Sequence, residues 1–545
     1  MQLFGETRVR HVSRSKRRLA AISLAIAASM LLISCAANGS SGTGESAVSG
    51  SALTIGMVNE QADPGAPIKG GTLTFSGYSP PATLDPSKAQ IAGSTGGSEL
   101  GAIYDVLMRY DPIVQNFVPQ LAESLEPNVG GETWTLKLRD AVTFSDGTPF
   151  DSKAVTDSIT RYVSSNGPQA NLWAAKVASM DTPDGMTVVF NLVDPWTGIG
   201  SMLATGPGMI VAPAAQQGDR FTPIGAGAFT LEKFAPNEEL VLAARPDYYG
   251  GAPNVDKLRL ISVVGAQATS EALKAGGIDV AHLRTLTPIL DLIENGYPGF
   301  VDIPSLGYLS NVNMAEGRPG ADLRVRQAMA LAIDPETLNA RVNNSKGLPG
   351  QEIFQDTSRW HNDVPPIGVD PAKAKELLDQ AKADGYNGKI TFLTIQEPAA
   401  QATALGVQAM LNSIGFDVEI EYVTSSGDLA KRLYADRNFD MSTGALSLPD
   451  ANPFERLYTS YKTGGRNNIV SYSDPEMDTL LDELGVATTD EDKKAILVKI
   501  QERANETLPW QLWGTVPTFD VWNRNVHGLK QSVDGILLFD EVWKS

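Results

Sequence analysis

Few residues in this chain could do chemistry. Four histidines, His11, His282, His361 and His527, are scattered through 545 residues, so none pairs with another at the spacing of a zinc site or a helix-borne metalloprotease motif. No G-x-S-x-G elbow presents a serine nucleophile, no G-x-x-x-x-G-K-[ST] loop cradles a phosphate, and no G-x-G-x-x-G opens a dinucleotide site. Adjacent carboxylates such as Glu238-Glu239 point to opposite faces of a strand, and in an acidic chain they read as solvated surface. The aromatics remain. Trp510 and Trp513 flank Leu512 near the carboxyl end, and Trp173, Trp196 and Trp360 sit beside Pro, Gly or Asn rather than inside long apolar helices. Such loop aromatics serve either as core plugs or as walls of a ligand cleft.

Charge narrows the partners. The chain has 44 basic and 63 acidic residues, a formal charge of −19, which disfavours nucleic acid, whose phosphates need clustered Lys and Arg. A single cysteine forms no internal disulfide.

That cysteine has an informative address. Residues 1–34 begin with Arg8, Arg10, Arg14, Lys16, Arg17 and Arg18, continue with an apolar run from Leu19 to Ile33, and end at Ser34. The run is shorter than the ~20 residues needed to cross hydrocarbon and has the layout of a secretory signal. Leu32-Ile33-Ser34-Cys35 resembles a bacterial lipobox, in which Cys35 is acylated and becomes the first residue after cleavage. Removal of residues 1–34 leaves 38 basic and 62 acidic residues, because only Glu6 among them is acidic. The Ala-, Gly- and Ser-rich stretch that follows reads as a tether through residue 68, with a reach of about 30 Å. No other segment carries 18 consecutive apolar residues, so the membrane is met through the anchor alone.

Strand and helix patterns alternate from Lys69 onward. Trp134, Leu136 and Leu138 alternate with polar residues as in a strand with one apolar face, and Asp151 caps a helix bearing Val155, Ile159 and Tyr162. From Ile390 to Leu446 the order is strand, helix, strand, helix, strand, which argues a parallel α/β layer. Asp322 and Asp370 begin two further helices.

Several blocks in this order resemble the family 5 extracellular solute-binding proteins, the peptide-, dipeptide- and nickel-binding class that serves ABC importers. They are GGTLTF from Gly70, LDP at 84–86, WTLKLRDAVTFSDGTPFDSKAV from Trp134, ARPDYYGGAPNVDKL from Ala244, LKAGGIDVA from Leu273, NMAEGRPGADLRVRQAMALAIDPETL from Asn313, DPAKAKELL from Asp370 and YSDPEMDTLL from Tyr472. The resemblance implies an α/β, two-lobed, periplasmic-binding-protein-like fold of type II with an extra subdomain in lobe I. It implies a signal peptide over 1–34, an anchored linker over 35–68, lobe I over 69–310, lobe II over 311–517 and a return to lobe I over 518–545. The hinge crossings are expected at 308–313 and 515–521.

The function implied is that of a receptor, not an enzyme. It captures an oligopeptide or dipeptide between the lobes and delivers it to the permease and ATPase of an ABC importer. It is expected as a monomer without metal or cofactor, lipid-anchored at the outer face of the bacterial cytoplasmic membrane. A non-peptide solute, a surface signalling role on the same fold and a secreted hydrolase are the alternatives. One departure bears on the ligand. Peptide-binding members pair an Asp with the ligand's ammonium, and alignment puts Leu446 at that place, with Asp450 four residues on. Asp450 is expected either to take over the amine or to cap a turn with Asn452. No arginine lies between Arg359 and Arg432 to clamp a ligand carboxylate. Trp360, Trp510 and Trp513 are expected at the cleft, with Tyr78 and Tyr308 beside them.

Overall fold

Leu73 and Phe75 are fully buried in the strand Thr72–Ser76, which pairs in parallel with Lys257–Ile261, setting Leu73 against Leu258 and Phe75 against Leu260. In the computed structural model, which describes residues 53–545 apart from Thr54, Asp63, Pro64, Pro80, Ala82 and Asn237, this pair lies inside an eight-stranded sheet. The order across that sheet is Gly56–Val58, Gly299–Asp302, Thr518–Trp522, Val280–Leu283, Thr72–Ser76, Lys257–Ile261, Glu239–Ala244 and Phe229–Ala235. It is the frame of the first lobe.

A four-stranded antiparallel sheet, ordered Ala122–Pro127, Thr133–Leu138, Thr187–Leu192 and Val177–Asp184, forms a subdomain of that lobe. Leu136 and Leu138 bury the face that their alternation predicts, opposite Val188 and beside Phe190. The helix Ser152–Ser164 covers them. Its N-cap is Asp151, whose carboxylate accepts from the Ala154 amide, and Val155, Ile159 and Tyr162 are buried beneath it.

The second lobe is built on a six-stranded sheet ordered Leu348–Pro349, Gln511–Thr515, Tyr308–Val312, Met441–Ala445, Lys389–Ile395 and Asp417–Val423. Lys389–Ile395 runs parallel to both Asp417–Val423 and Met441–Ala445, the arrangement expected of crossovers through helices. The helix Pro398–Ser413 makes the first crossover. Helices Leu323–Ala332 and Pro371–Ala383, capped by Asp322 and Asp370, close this side over Val325, Met329, Leu378 and Phe392.

The chain passes between the sheets twice, through 303–307 and through 516–517. The second passage lies inside its expected range. The first corrects the expectation of 308–313: Tyr308–Val312 is already the central strand of the second sheet, and the chain turns earlier, at Pro304 and at Leu306 with φ 61°. The linker expected over 35–68 also ends sooner. Gly56–Val58 pairs antiparallel with Gly299–Val301, and the Asn59 amide donates to Ile293 O at 2.9 Å and Tyr297 O at 3.0 Å. Three paired residues are too few to leave a periodic signature. Cys35, the signal segment and the first part of the linker lie outside the described residues.

The lobes are packed against each other. One apolar core runs from the first sheet through Trp173 and Phe190 to Phe454, Leu457 and Tyr461. Glu455 meets the subdomain, accepting from the Gln169 amide at 2.9 Å and from Ser201 Oγ at 3.1 Å, all three buried.

Candidate functional site

Three cavities lie between the lobes, and two of them share Arg284 as a common wall residue. The strand Val280–Leu283 is buried along its whole length, so the next residue, Arg284, is the first to leave the sheet and it emerges at the rim of the gap.

The first cavity holds about 260 Å³. Tyr78 and Arg284 wall it from the first lobe; Tyr308, Leu338, Ile395 and Trp513 wall it from the second, and residues 515–517 form its back. Its aromatic side is rigid. Tyr308 meets Trp513 edge-on at 5.3 Å, its hydroxyl donates to Thr403 Oγ1 at 2.8 Å, and Trp513 leans on Phe392 at 6.5 Å. Gly514 has φ 145°, and a Cβ there would stand 2.3 Å from Leu348 O, so only glycine lets the edge strand Leu348–Pro349 close this wall. Tyr78 is half exposed, with the Arg284 guanidinium 5.7 Å from its ring centre. Arg284 is half-buried and has no carboxylate partner among the described residues. Glu397 stands exposed on the facing lobe.

The second cavity, about 190 Å³, is walled by His282, Asp302, Tyr434, Leu446, Arg456 and Asp534. Asp534 of the first lobe forms an ion pair with Arg456 of the second and accepts from Ser447 Oγ at 3.1 Å. His282 Nδ1 lies 2.7 Å from Asp520 Oδ1, both residues buried, while His282 Nε2 and Asp520 Oδ2 have no protein partner. Burial raises the Asp520 carboxyl against the opposing pull of His282. Asp302 accepts from the Ile303 amide at 2.8 Å but pairs with no cation among the described residues; burial, and then the charges of Asp450 and Asp534, push its carboxyl up to about 7.

The residues expected from sequence separate here. Tyr78, Tyr308 and Trp513 border the first cavity, and Leu446 borders the second. Trp510 does not reach the cleft: it is buried against Tyr461 at 4.4 Å. Trp360 lies between the lobes at another place, its Nε1–H donating to Asp450 O at 2.9 Å beneath the Arg359 guanidinium, 4.4 Å above the ring. Trp360 and Asn452 line the third interlobe recess, about 240 Å³, with Tyr110 and Trp196 of the first lobe and Phe454 of the second. Asp450 is occupied locally, accepting from Ser358 Oγ at 2.7 Å and from the Arg359 amide at 2.9 Å. It therefore serves a loop that is distant in sequence, 358–360, rather than a turn with Asn452.

Sequence reasoning missed His282, Arg284, Asp302, Arg456 and Asp534. The available signal was polar residues placed within or just after apolar strands, as in VAHLR and FVDIP. Among the described residues no group of His, Cys, Asp and Glu could hold a metal ion, and no helix is long and apolar enough to cross a membrane.

Comparison with known proteins agrees with this architecture. The family model described as bacterial extracellular solute-binding proteins, family 5 Middle, matches residues 116–468. A "Putative ABC transporter peptide-binding protein" of Brucella ovis is 27% identical over 470 residues, covering 81% of this chain and 85% of that protein. Among solved structures, the oligopeptide-binding protein AppA of Bacillus subtilis, in complex with a nonapeptide, superposes with a TM-score of 0.77 at 20% identity, over 88% of this chain and all of that one. The binding protein AgaA of A. tumefaciens R10, in complex with agropinic acid, gives a TM-score of 0.73 at 24% identity, over 84% and 95% of the two chains.

Proposed function

The chain belongs to the bacterial extracellular solute-binding proteins, family 5, and on that footing we propose that it captures an oligopeptide or dipeptide between its lobes and delivers it to the permease and ATPase of an ABC importer. The observation that carries this reading is the set of cavities between two lobes that, among the described residues, are joined by two chain crossings. A hinge of that kind lets the lobes engulf and desolvate a solute, and the closed shape differs enough from the open one for a membrane partner to sense it. The peptide is supported by the Brucella relative and by the nonapeptide complex on the same fold. Acylation of Cys35 would hold the receptor at the outer face of the cytoplasmic membrane as a monomer on a short tether. Its role is binding rather than catalysis.

A second reading, a non-peptide solute, is favoured by one observation: Leu446 faces the cavity and Asp450 is committed to residues 358–360. The agropinic acid complex shares the fold.

Uptake decides between them. Deletion of the gene should abolish import of labelled di- and oligopeptides, and the full chain should restore it. Peptide import that continues undiminished in the deletion strain contradicts the peptide reading. Cys35→Ala should release the protein to the medium or leave it unprocessed, and normal processing with membrane retention contradicts the anchor.

A further inference from the structure

Two charged side chains are buried where the subdomain meets the second lobe, and among the described residues neither has an ionic partner. Glu455, in the first turn of the helix Phe454–Tyr461, at least accepts hydrogen bonds from Gln169 and Ser201 of the subdomain. Lys176 has less. It ends the subdomain helix Ala170–Lys176 and is 6% exposed. Its ammonium stands 5.6 Å from the centre of the Phe454 ring, and a Cβ on Gly485 would lie 2.7 Å from its Nζ. Among the described residues it forms no ion pair and donates no hydrogen bond. Burial, the largest influence, holds the Lys176 pKa below the ordinary lysine value against the pull of Asp194 and Asp482, and Lys462 adds to the lowering. The charged form is therefore worse off here than in water, even with an aromatic face beside it. Phe454 and Gly485, which cover the ammonium, both belong to the second lobe and move away when the lobes part.

We propose that Lys176 is a release element: closure strips water from its ammonium without supplying a counter-charge, so it tilts the ligand-free receptor towards the open form and speeds departure of the solute. A lysine suits this work because its compact ammonium is strongly hydrated and loses much when that water is removed. Glu455 acts in the opposite sense. Its carboxylate exchanges water for two donors of the subdomain and holds the same contact together. The solute's own contacts must outweigh the desolvation of Lys176 before the closed form dominates, which lowers affinity but keeps the resting receptor open. The inference rests on the reading of the chain as a receptor that closes on a solute.

The test compares the full chain with Lys176→Met, which keeps an unbranched stem and removes the charge. Small-angle scattering without ligand should give the variant the smaller radius of gyration. In calorimetric titration with a panel of di- to pentapeptides, those that bind the unaltered chain should bind the variant about 5- to 20-fold more tightly, through slower dissociation. Glu455→Ala should move both readouts the other way, weakening binding about 3- to 10-fold. A lysine that merely packs the interface predicts the opposite sign for Lys176→Met, with looser binding and a lower melting temperature. If Lys176→Met fails to fold, Lys176→Gln carries the same expectation, and if no peptide binds, the ligand-free radius alone decides. A radius and affinity equal to those of the unaltered chain, or looser binding, overturns the release role. Contraction of the unaltered chain with peptide in that case leaves the receptor reading intact, whereas absence of both contraction and binding in every protein strikes the receptor reading itself.

Discussion

Arg456 of the second lobe and Asp534 of the first form an ion pair across the cleft, largely shielded from water at 17% and 12% side-chain exposure. Asp534 adopts φ 57° within its loop and takes a second bond from Ser447. The pair exists only when the lobes are together, so it adds to the closed state alone. Arg456→Met should weaken closure by about 1–3 kcal/mol and raise ligand dissociation roughly 10- to 100-fold, with little change in association. Stopped-flow measurement with a bound peptide checks this, and an unchanged dissociation rate contradicts it.

Asp450 holds residues 358–360 to the loop after the strand Met441–Ala445. Asp450→Asn should therefore cost about 1–3 kcal/mol of stability through the Ser358 and Arg359 bonds it weakens. Peptide affinity should stay within a factor of about three. Urea melts and calorimetry on one preparation separate the two effects, and a large affinity loss without a stability loss would contradict the local role.

The tryptophans give an optical check. Only Trp513 among the three expected at the cleft borders the first cavity, and its Nε1–H has no protein partner, so ligand should perturb its emission. Trp513→Phe should remove most of the ligand-dependent fluorescence change, while Trp510→Phe should preserve it. Persistence of the full change in Trp513→Phe counts against the assignment.

Stability should fall as pH rises from about 5 to 8. Glu99 is fully buried without a cation, and burial raises its carboxyl from the usual 4.5 to about 7. Because the folded state binds this proton more tightly than the unfolded state, its contribution is complete below the unfolded value and is lost as pH passes the folded one. Asp105, raised to about 6 by burial and by Asp540, acts in the same direction. Glu99→Gln should flatten the profile and stabilise the protein at pH 8 by on the order of 3 kcal/mol. Thermal melts across this range check it, and a variant profile parallel to the original contradicts it.

What was legible in the sequence was what local rules encode. Asp151, Asp322 and Asp370 marked helix starts because an N-cap carboxylate serves donors two or three residues away. The strand near 390 declared itself through an apolar run and the one near 418 through alternation, and the strand Met441–Ala445 lies inside the segment 439–446 read as strand. The cleft was less legible because its walls come from distant segments. Trp510 and Trp513 look alike in sequence, and only the packing of 461 against 510, and of 308 against 513, separates a plug from a wall. His282 and Asp302 belong to neighbouring parts of one sheet, each beside Thr518–Trp522, although 20 residues separate them in the chain.

The central claim, a cleft that closes on its solute, is tested most directly by distance measurement between spin labels on its two lips. Lys88→Cys and Lys431→Cys, both exposed, would be labelled in a chain carrying Cys35→Ala. Pulsed electron resonance would then be recorded with and without a protein-hydrolysate peptide mixture. The account predicts a broad, longer distance without peptide and a shorter, narrower one with it. A distribution unchanged by a mixture that calorimetry shows to bind would contradict it.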